Sequence, residues 1–118
     1  MITKKILIVE DDYLQAFVQM KFLQNKGYEV TMAATGTQAL EIASKNKFDV
    51  IIMDIRIKGE MDGIDVMNEI RKFSSIPVIF CTGNSESTIR ERIKMSNVKA
   101  FMIKPVDLEE LEKMVRSI

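Results

Sequence analysis

Residues 5–12 read KILIVEDD, in which four consecutive apolar residues are followed at once by three acidic ones. An unbroken apolar run of this kind is typical of a β-strand buried on both faces of a sheet. Four more runs complete the predicted strands: residues 28–32 (YEVTM), 49–53 (DVIIM), 76–81 (IPVIFC) and 99–103 (KAFMI). The run at residues 28–32 alternates between apolar and polar residues, which suits a strand nearer an edge of the sheet. The sequence therefore predicts five strands.

Segments with apolar residues on one side separate these runs and have the length of helices. Gly27, at the end of the first, is typical of a helix C-terminus, and Asp107 followed by Glu110 is typical of a capping box. The predicted helices cover residues 12–26, 35 or 37 to 46, 62–73, 85 or 87 to 95, and a last segment after Asp107. Five strand–helix repeats predict an α/β fold with parallel strands, right-handed crossovers and helices on both faces.

Composition excludes several classes of function. The 118 residues contain 17 Lys plus Arg, 17 Asp plus Glu, no His and one Cys. Zero net charge argues against direct binding of nucleic acid, which needs a basic surface. The lack of His excludes a Ser-His-Asp triad and a His-ligated zinc site, and a single Cys excludes an internal disulfide. With no signal-peptide pattern and no membrane-length apolar run, we expect one cytoplasmic domain over residues 1–118, without an appended domain.

Chemically active side chains follow four of the five predicted strands. The carboxyl ends of parallel strands share one edge of the sheet, where binding sites form. Those residues are Glu10, Asp11 and Asp12 after the first strand, Asp54 after the third, Thr82 after the fourth and Lys104 after the fifth. Clustered carboxylates repel one another, and an all-oxygen ligand set favours a hard cation, Mg²⁺ first and Mn²⁺ as the alternative. A carboxylate at the centre of the sheet, here Asp54, is also a nucleophile that can form an aspartyl phosphate.

Each of these residues also has an ordinary structural interpretation. Asp12 alone is more often a helix N-cap than a metal ligand. Asp54 and Thr82 alone could simply end strands, and Lys104 alone is usually a solvated charge. Because all four strand ends carry complementary chemistry, their combination favours a single functional site.

Together these motifs resemble those of response-regulator receiver domains, and the resemblance covers essentially the whole chain. It rests on the order and spacing of six segments: residues 6–12 (ILIVEDD), 34–40 (ATGTQAL), 50–54 (VIIMD), 61–63 (MDG), 82–83 (TG) and 104–105 (KP). The resemblance implies a flavodoxin-like (βα)5 domain with a doubly wound, five-stranded parallel sheet in strand order 2-1-3-4-5. It also implies a phosphoryl-accepting component of two-component or phosphorelay signalling, not an enzyme.

The resemblance further implies how the acidic residues are used. Asp54 would accept a phosphoryl group from the phosphohistidine of a histidine kinase or a histidine phosphotransfer protein. Glu10 and Asp11 would bind Mg²⁺ together with Asp54 and the backbone carbonyl of Arg56. Asp12 would be an additional acid beside this pair.

Residues on the last two strands would respond to that phosphoryl group. The resemblance implies that Thr82 and Lys104 contact the phosphoryl oxygens and that Lys104–Pro105 is a cis peptide. Phe101 would be the switch aromatic, turning inward as Thr82 moves. The surface of the last two strand–helix units would then change and be read by a downstream protein.

The loop after Asp54 departs from the family pattern. Many receiver domains carry a Pro there and reach the Asp-Gly pair one residue sooner, whereas residues 55–63 (IRIKGEMDG) lack Pro and are rich in charge. The start of the third helix and the access to Asp54 therefore depend on this loop. We hypothesise that Arg56 and Asn84, at the predicted rim, set the phosphoryl lifetime by positioning or excluding water. Unchanged dephosphorylation rates in Arg56→Ala and Asn84→Ala variants would contradict this.

Other functions compete with this interpretation. A phosphatase or phosphotransferase with an aspartyl nucleophile typically carries a second acid two residues later, where this chain has Arg56. A flavin-binding domain needs a Ser/Thr/Gly-rich loop after the first strand, where residues 10–12 are acidic. A receiver-like interaction module that is never phosphorylated would not need the intact set of acids, Thr and Lys. Self-association through the last helices is left open.

Overall fold

Five parallel strands form one sheet in the computed structural model, which describes residues 3–83 and 97–118. Their spatial order is β2-β1-β3-β4-β5, which confirms the predicted α/β class and strand order. The strands are β1 (Lys5–Val9), β2 (Glu29–Ala33), β3 (Val50–Asp54), β4 (Val78–Thr82) and β5 (Val98–Ile103). The helix predicted over residues 85 or 87 to 95 lies outside the described residues.

Four helices lie within the described residues, and each begins at a side-chain cap. They are α1 (Tyr13–Asn25), α2 (Gly36–Lys45), α3 (Gly63–Ile70) and α4 (Leu108–Arg116). The caps each accept a hydrogen bond from the backbone N–H three residues later, and they are Asp12, Thr35, Asp62 and Asp107. These bonds satisfy donors that the first turn of a helix leaves unpaired. None of these four helices has the length and apolar content that crossing a bilayer requires.

The third helix is shorter than its predicted range of 62–73. It ends at Ile70, and residues 71–73 form turns. Phe73 is half exposed, so it does not extend the buried stripe of the helix. At the start of α3, Asp62 and Asp65 form a reciprocal capping box with N–H to oxygen distances of 2.9 and 3.0 Å. This box fixes the beginning of the helix despite the unusual loop before it.

The sheet separates two apolar cores, one against α2 and α3 and the other against α1 and α4. Alternate residues of the central strands enter opposite cores, as Leu7 and Ile8 of β1 do. This explains why these strands read as unbroken apolar runs. The register places Asp54 opposite Cys81, so the carboxyl ends of β3 and β4 lie side by side.

Candidate functional site

Three carboxylates meet at the carboxyl edge of the sheet. Glu10 and Asp11 directly follow β1, and Asp54 is the last residue of the neighbouring strand β3. One oxygen from each lies within 4.8 Å of the others. Glu10 is only 4% exposed and Asp54 only 6%, whereas Asp11 is half-buried. The structure thus brings together the three acids for which the sequence predicted a metal-binding role.

Lys104 supplies positive charge to two of these acids. Its ammonium Nζ lies 2.7 Å from Glu10 Oε1 and 3.0 Å from Asp54 Oδ2. Burial lowers the pKa of Lys104, but its hydrogen bonds to Glu10 and Asp54 outweigh this and raise it. The Lys104–Pro105 peptide is cis, as predicted. Lys104 therefore acts as a fixed counter-ion inside the site.

The negative charge of the cluster still exceeds what Lys104 neutralises. Burial and the neighbouring Asp54 carboxyl raise the pKa of Glu10 to about 7, although the hydrogen bond from Lys104 opposes the shift. Further positive charge near such a carboxyl group would stabilise its ionised form. Among the described residues, Lys104 alone forms ion pairs with this cluster. Three carboxylates with one such partner offer oxygen ligands that fit a hard divalent cation.

Backbone N–H groups orient all three acids. The N–H of Asp12 lies 3.2 Å from Glu10 Oε2, and that of Arg56 lies 3.2 Å from Asp54 Oδ1. A third N–H, from Lys58, lies 3.1 Å from Asp11 Oδ2. The main chain therefore orients all three carboxylates, and Lys104 pairs with two of them, Glu10 and Asp54.

Asp12 lies at the start of α1, outside the three-acid cluster. Its side chain caps the helix, accepting from Gln15 N–H at 3.2 Å and from Gln15 Nε2 at 3.1 Å. Asp12 is exposed, and these hydrogen bonds hold its pKa below the ordinary value. The structure therefore gives Asp12 the helix-capping role that competed with metal binding in the sequence.

The remaining predicted residues line the neighbouring strands. Thr82 is fully buried at the end of β4, and its carbonyl accepts the N–H of Lys104 at 2.7 Å. Phe101 lies on β5 opposite Phe80 and packs, half-buried, against the core on the α2–α3 side. Asn84 lies outside the described residues.

The loop after Asp54 is anchored by its apolar residues. Ile55 and Ile57 are buried in the core, while the alternate residues Arg56 and Lys58 are exposed. The N–H of Gly63 donates to Ile55 O at 2.7 Å. The side chain of Arg56 is therefore exposed, and its backbone N–H lies beside Asp54.

The structure also contains a groove beside Lys104 that the sequence did not predict. It lies between α1 and the chain after β5, with a volume of about 590 Å³. Leu14, 71% exposed, and Val18 line it together with Pro105. One signal for it was available, because α1 contains a single charged residue, Lys21, in thirteen positions. A helix with so few charges does not have an ordinary solvated outer face.

The family model for the response regulator receiver domain matches residues 6–116. This chain belongs to that family. As a receiver domain of a two-component response regulator, it combines the family's fold with an acidic pocket of the kind in which these domains bind Mg²⁺. The resemblance inferred from the sequence is confirmed.

Two curated relatives differ in how much of their length the receiver domain spans. The transcriptional regulatory protein ZraR of Klebsiella oxytoca is 39% identical over 109 residues, which are 91% of this chain but 24% of the relative. Sporulation initiation phosphotransferase F of Bacillus subtilis (strain 168) is 32% identical over 117 residues, covering 98% of this chain and 94% of the relative. The chain thus spans about a quarter of the first relative and nearly all of the second.

The fold of this chain also matches a solved response-regulator structure. The response regulator protein TrrA from Thermotoga maritima, in complex with Mg²⁺ and BeF, superposes with a TM-score of 0.84 at 28% identity. The superposition covers 98% of this chain and 98% of TrrA. The receiver fold of this chain is therefore confirmed by structure as well as by sequence.

Proposed function

We propose that Asp54 accepts a phosphoryl group from the phosphohistidine of a histidine kinase or histidine phosphotransfer protein. The observation that carries this proposal is the Asp54 carboxylate itself, buried beside Glu10 and Asp11 with Lys104 Nζ 3.0 Å away. The chain is then the acceptor of the phosphoryl group and not an enzyme with a separate substrate. We place this exchange in the cytoplasm, the usual compartment of the family.

Mg²⁺ is the cofactor that the donor set fits, with Mn²⁺ as the alternative. Glu10, Asp11 and Asp54 would hold it through carboxylate oxygens, and the backbone carbonyl of Arg56 would be a further ligand. When bound, the cation supplies positive charge for the phosphoryl oxygens. Asp12 is left out of this set because its carboxylate already caps α1.

The transfer requires attack in line with the bond that breaks. An Asp54 carboxylate oxygen forms the new P–O bond while the P–N bond to the donor imidazole breaks, and the imidazole nitrogen keeps that electron pair. Lys104 exchanges its present carboxylate contacts for a phosphoryl oxygen, and the Thr82 hydroxyl donates to another. The product carries added negative charge at the edge of the sheet.

We propose that this charge shifts a pre-existing equilibrium at the last two strands. Thr82 moves toward the phosphoryl group and Phe101 turns further inward, which alters the surface that a downstream protein reads. The support is the hydrogen bond of the Lys104 N–H to Thr82 O and the half-buried position of Phe101 on the adjacent strand. Arg56 and Asn84 are proposed to set the lifetime of the phosphoryl group.

The groove between α1 and Pro105 is proposed as the place where the phosphodonor docks. It is apolar, exposed and continuous with the site, because Lys104 lines the groove and also contacts Asp54. A donor seated there would present its histidine to the carboxyl edge of the sheet. Apolar residues of the donor would bury Leu14 and Val18, which otherwise face solvent.

Beryllofluoride, a phosphoryl analogue, tests the proposal without a donor. With Mg²⁺ present and beryllofluoride at 100 times its own dissociation constant, we expect the melting temperature of the parent to rise by about 10 °C. The Asp54→Asn variant should show no rise, and omission of Mg²⁺ should abolish it in the parent. An equal rise in both proteins would place the ligand elsewhere, and no rise in the parent would favour an interaction module that is never phosphorylated.

A further inference from the structure

Each carboxylate of the acidic cluster accepts one backbone N–H, but the three bonds differ in origin. Glu10 and Asp54 each accept from the residue two positions later, so these two bonds are local. Asp11 accepts from Lys58, which is 47 positions away in the loop between β3 and α3. The third bond therefore ties the acidic cluster to a separate segment of the chain.

The backbone at Lys58 is held in place from both sides. Ile57, immediately before it, is buried in the core. Gly59, immediately after it, has a φ of +113°, a left-handed conformation that Gly adopts without strain and that turns the chain. Further back, the N–H of Ile55 donates to Cys81 O at 3.1 Å. The direction of the Lys58 N–H is thus fixed by its neighbours and not by its own exposed side chain.

Asp11 differs from the other two acids in its burial and in its partners. It is half-buried, whereas Glu10 and Asp54 are enclosed and also paired with Lys104. Within residues 3–83 and 97–118, the Lys58 N–H is the one donor that reaches the Asp11 carboxylate. The bond engages Oδ2 of that carboxylate.

We propose that the Lys58 backbone N–H is a positioning group that orients Asp11 for metal binding. This rests on the proposed metal-binding function of the same site. Hydrogen bonds that orient a ligating side chain commonly change metal affinity by about 10- to 100-fold.

The test compares Lys58→Pro, which removes the N–H, with Lys58→Ala, which keeps it. Mn²⁺ alone is the probe, and the free ion is measured by electron paramagnetic resonance. We expect the Pro variant to bind Mn²⁺ about 10- to 100-fold more weakly than the parent, and the Ala variant to bind as the parent does. Equal affinities in the two variants would overturn the proposal.

A double-mutant cycle separates positioning from general damage to the loop. In an Asp11→Ala background the Pro substitution should cause no further loss of Mn²⁺ affinity, because the oriented group is absent. The same loss in both backgrounds would overturn the proposal. A parent that binds no Mn²⁺ would instead overturn the proposed metal site as a whole.

Amide hydrogen exchange decides the matter if the Pro variant does not fold. The Lys58 amide of the parent should exchange at least about tenfold more slowly than the same amide in Asp11→Ala, since its acceptor is then missing. Equal exchange rates would show that the bond does not hold the loop, and the proposal would fail. This measurement needs no metal, so it stays distinct from a failure of the proposed function.

Discussion

Replacement of Lys104 by Met is expected to slow phosphoryl transfer to Asp54 by about 10²- to 10³-fold. Loss of one preorganised group that stabilises transition-state charge commonly has an effect of this size. Lys104 Nζ lies 3.0 Å from Asp54 Oδ2, so it is already beside the atom that would receive the phosphoryl group. The measurement is the rate of adduct formation with a small phosphodonor at saturating Mg²⁺.

The same substitution should strengthen metal binding by about tenfold. Lys104 neutralises Glu10 and Asp54 in the structure, and a bound metal ion would compete with its ammonium group for the same carboxylate oxygens. Lys113→Met removes an exposed charge on α4 and serves as the control, with neither property changed. Slower transfer with weaker metal binding would show that Lys104 maintains the shape of the site and does not act on charge.

Gly63→Ala is expected to reduce the free energy of unfolding by about 3 kcal/mol, at the upper end for overpacking. A Cβ atom at this position would lie 2.2 Å from the backbone oxygen of Asp54 and 2.8 Å from Met53 Cγ. Backbone at the end of a central strand cannot move aside as a flexible side chain could. The substitution therefore strains the first turn of α3 against the backbone of Asp54, and urea unfolding measures the effect.

Gly83→Ala is the matched control for that prediction. Within residues 3–83 and 97–118, no atom lies within 4 Å of a Cβ built at Gly83, so the unfolding midpoint of this variant should change by little. A Gly63→Ala variant as stable as Gly83→Ala would mean that α3 can shift away from β3 without loss. The close approach of the helix to Asp54 would then not be a requirement of the fold.

Much of the fold followed from the sequence because the central strands are buried on both faces. The run at residues 6–9 is apolar without alternation, and its residues enter both cores. The end of α3 was harder to predict, because Phe73 continues the apolar spacing but is half exposed. The spacing of apolar residues shows which side chains could face the core, but it does not show which of them are buried in it.

The site was predictable as a set of strand ends, but its individual contacts were not. Strand order brings Glu10, Asp54 and Lys104 to one edge, yet nothing in the sequence specifies that Lys104 bridges both acids. The Lys58 donor is a backbone group, and every residue except Pro has one. Its role depends on the path of a loop, which has no periodic signature.

The face of α1 illustrates the same limit. Gln19 is buried in this helix while Leu14 and Val18 are exposed, the reverse of ordinary polarity. An interpretation based on apolar periodicity assigns these residues to the wrong sides. The paucity of charge in α1 was the informative property.

The central claim is that Asp54 is the phosphoryl acceptor, and intact-protein mass spectrometry with acetyl phosphate tests it most directly. The parent, Asp54→Ala and the control Glu60→Ala, which alters an exposed acid of the adjacent loop, are compared with Mg²⁺ and with a chelator. We predict one phosphoryl adduct on the parent and on Glu60→Ala, and none on Asp54→Ala or in the presence of the chelator. An adduct that persists in Asp54→Ala, or a parent that forms none with Mg²⁺, would contradict the claim.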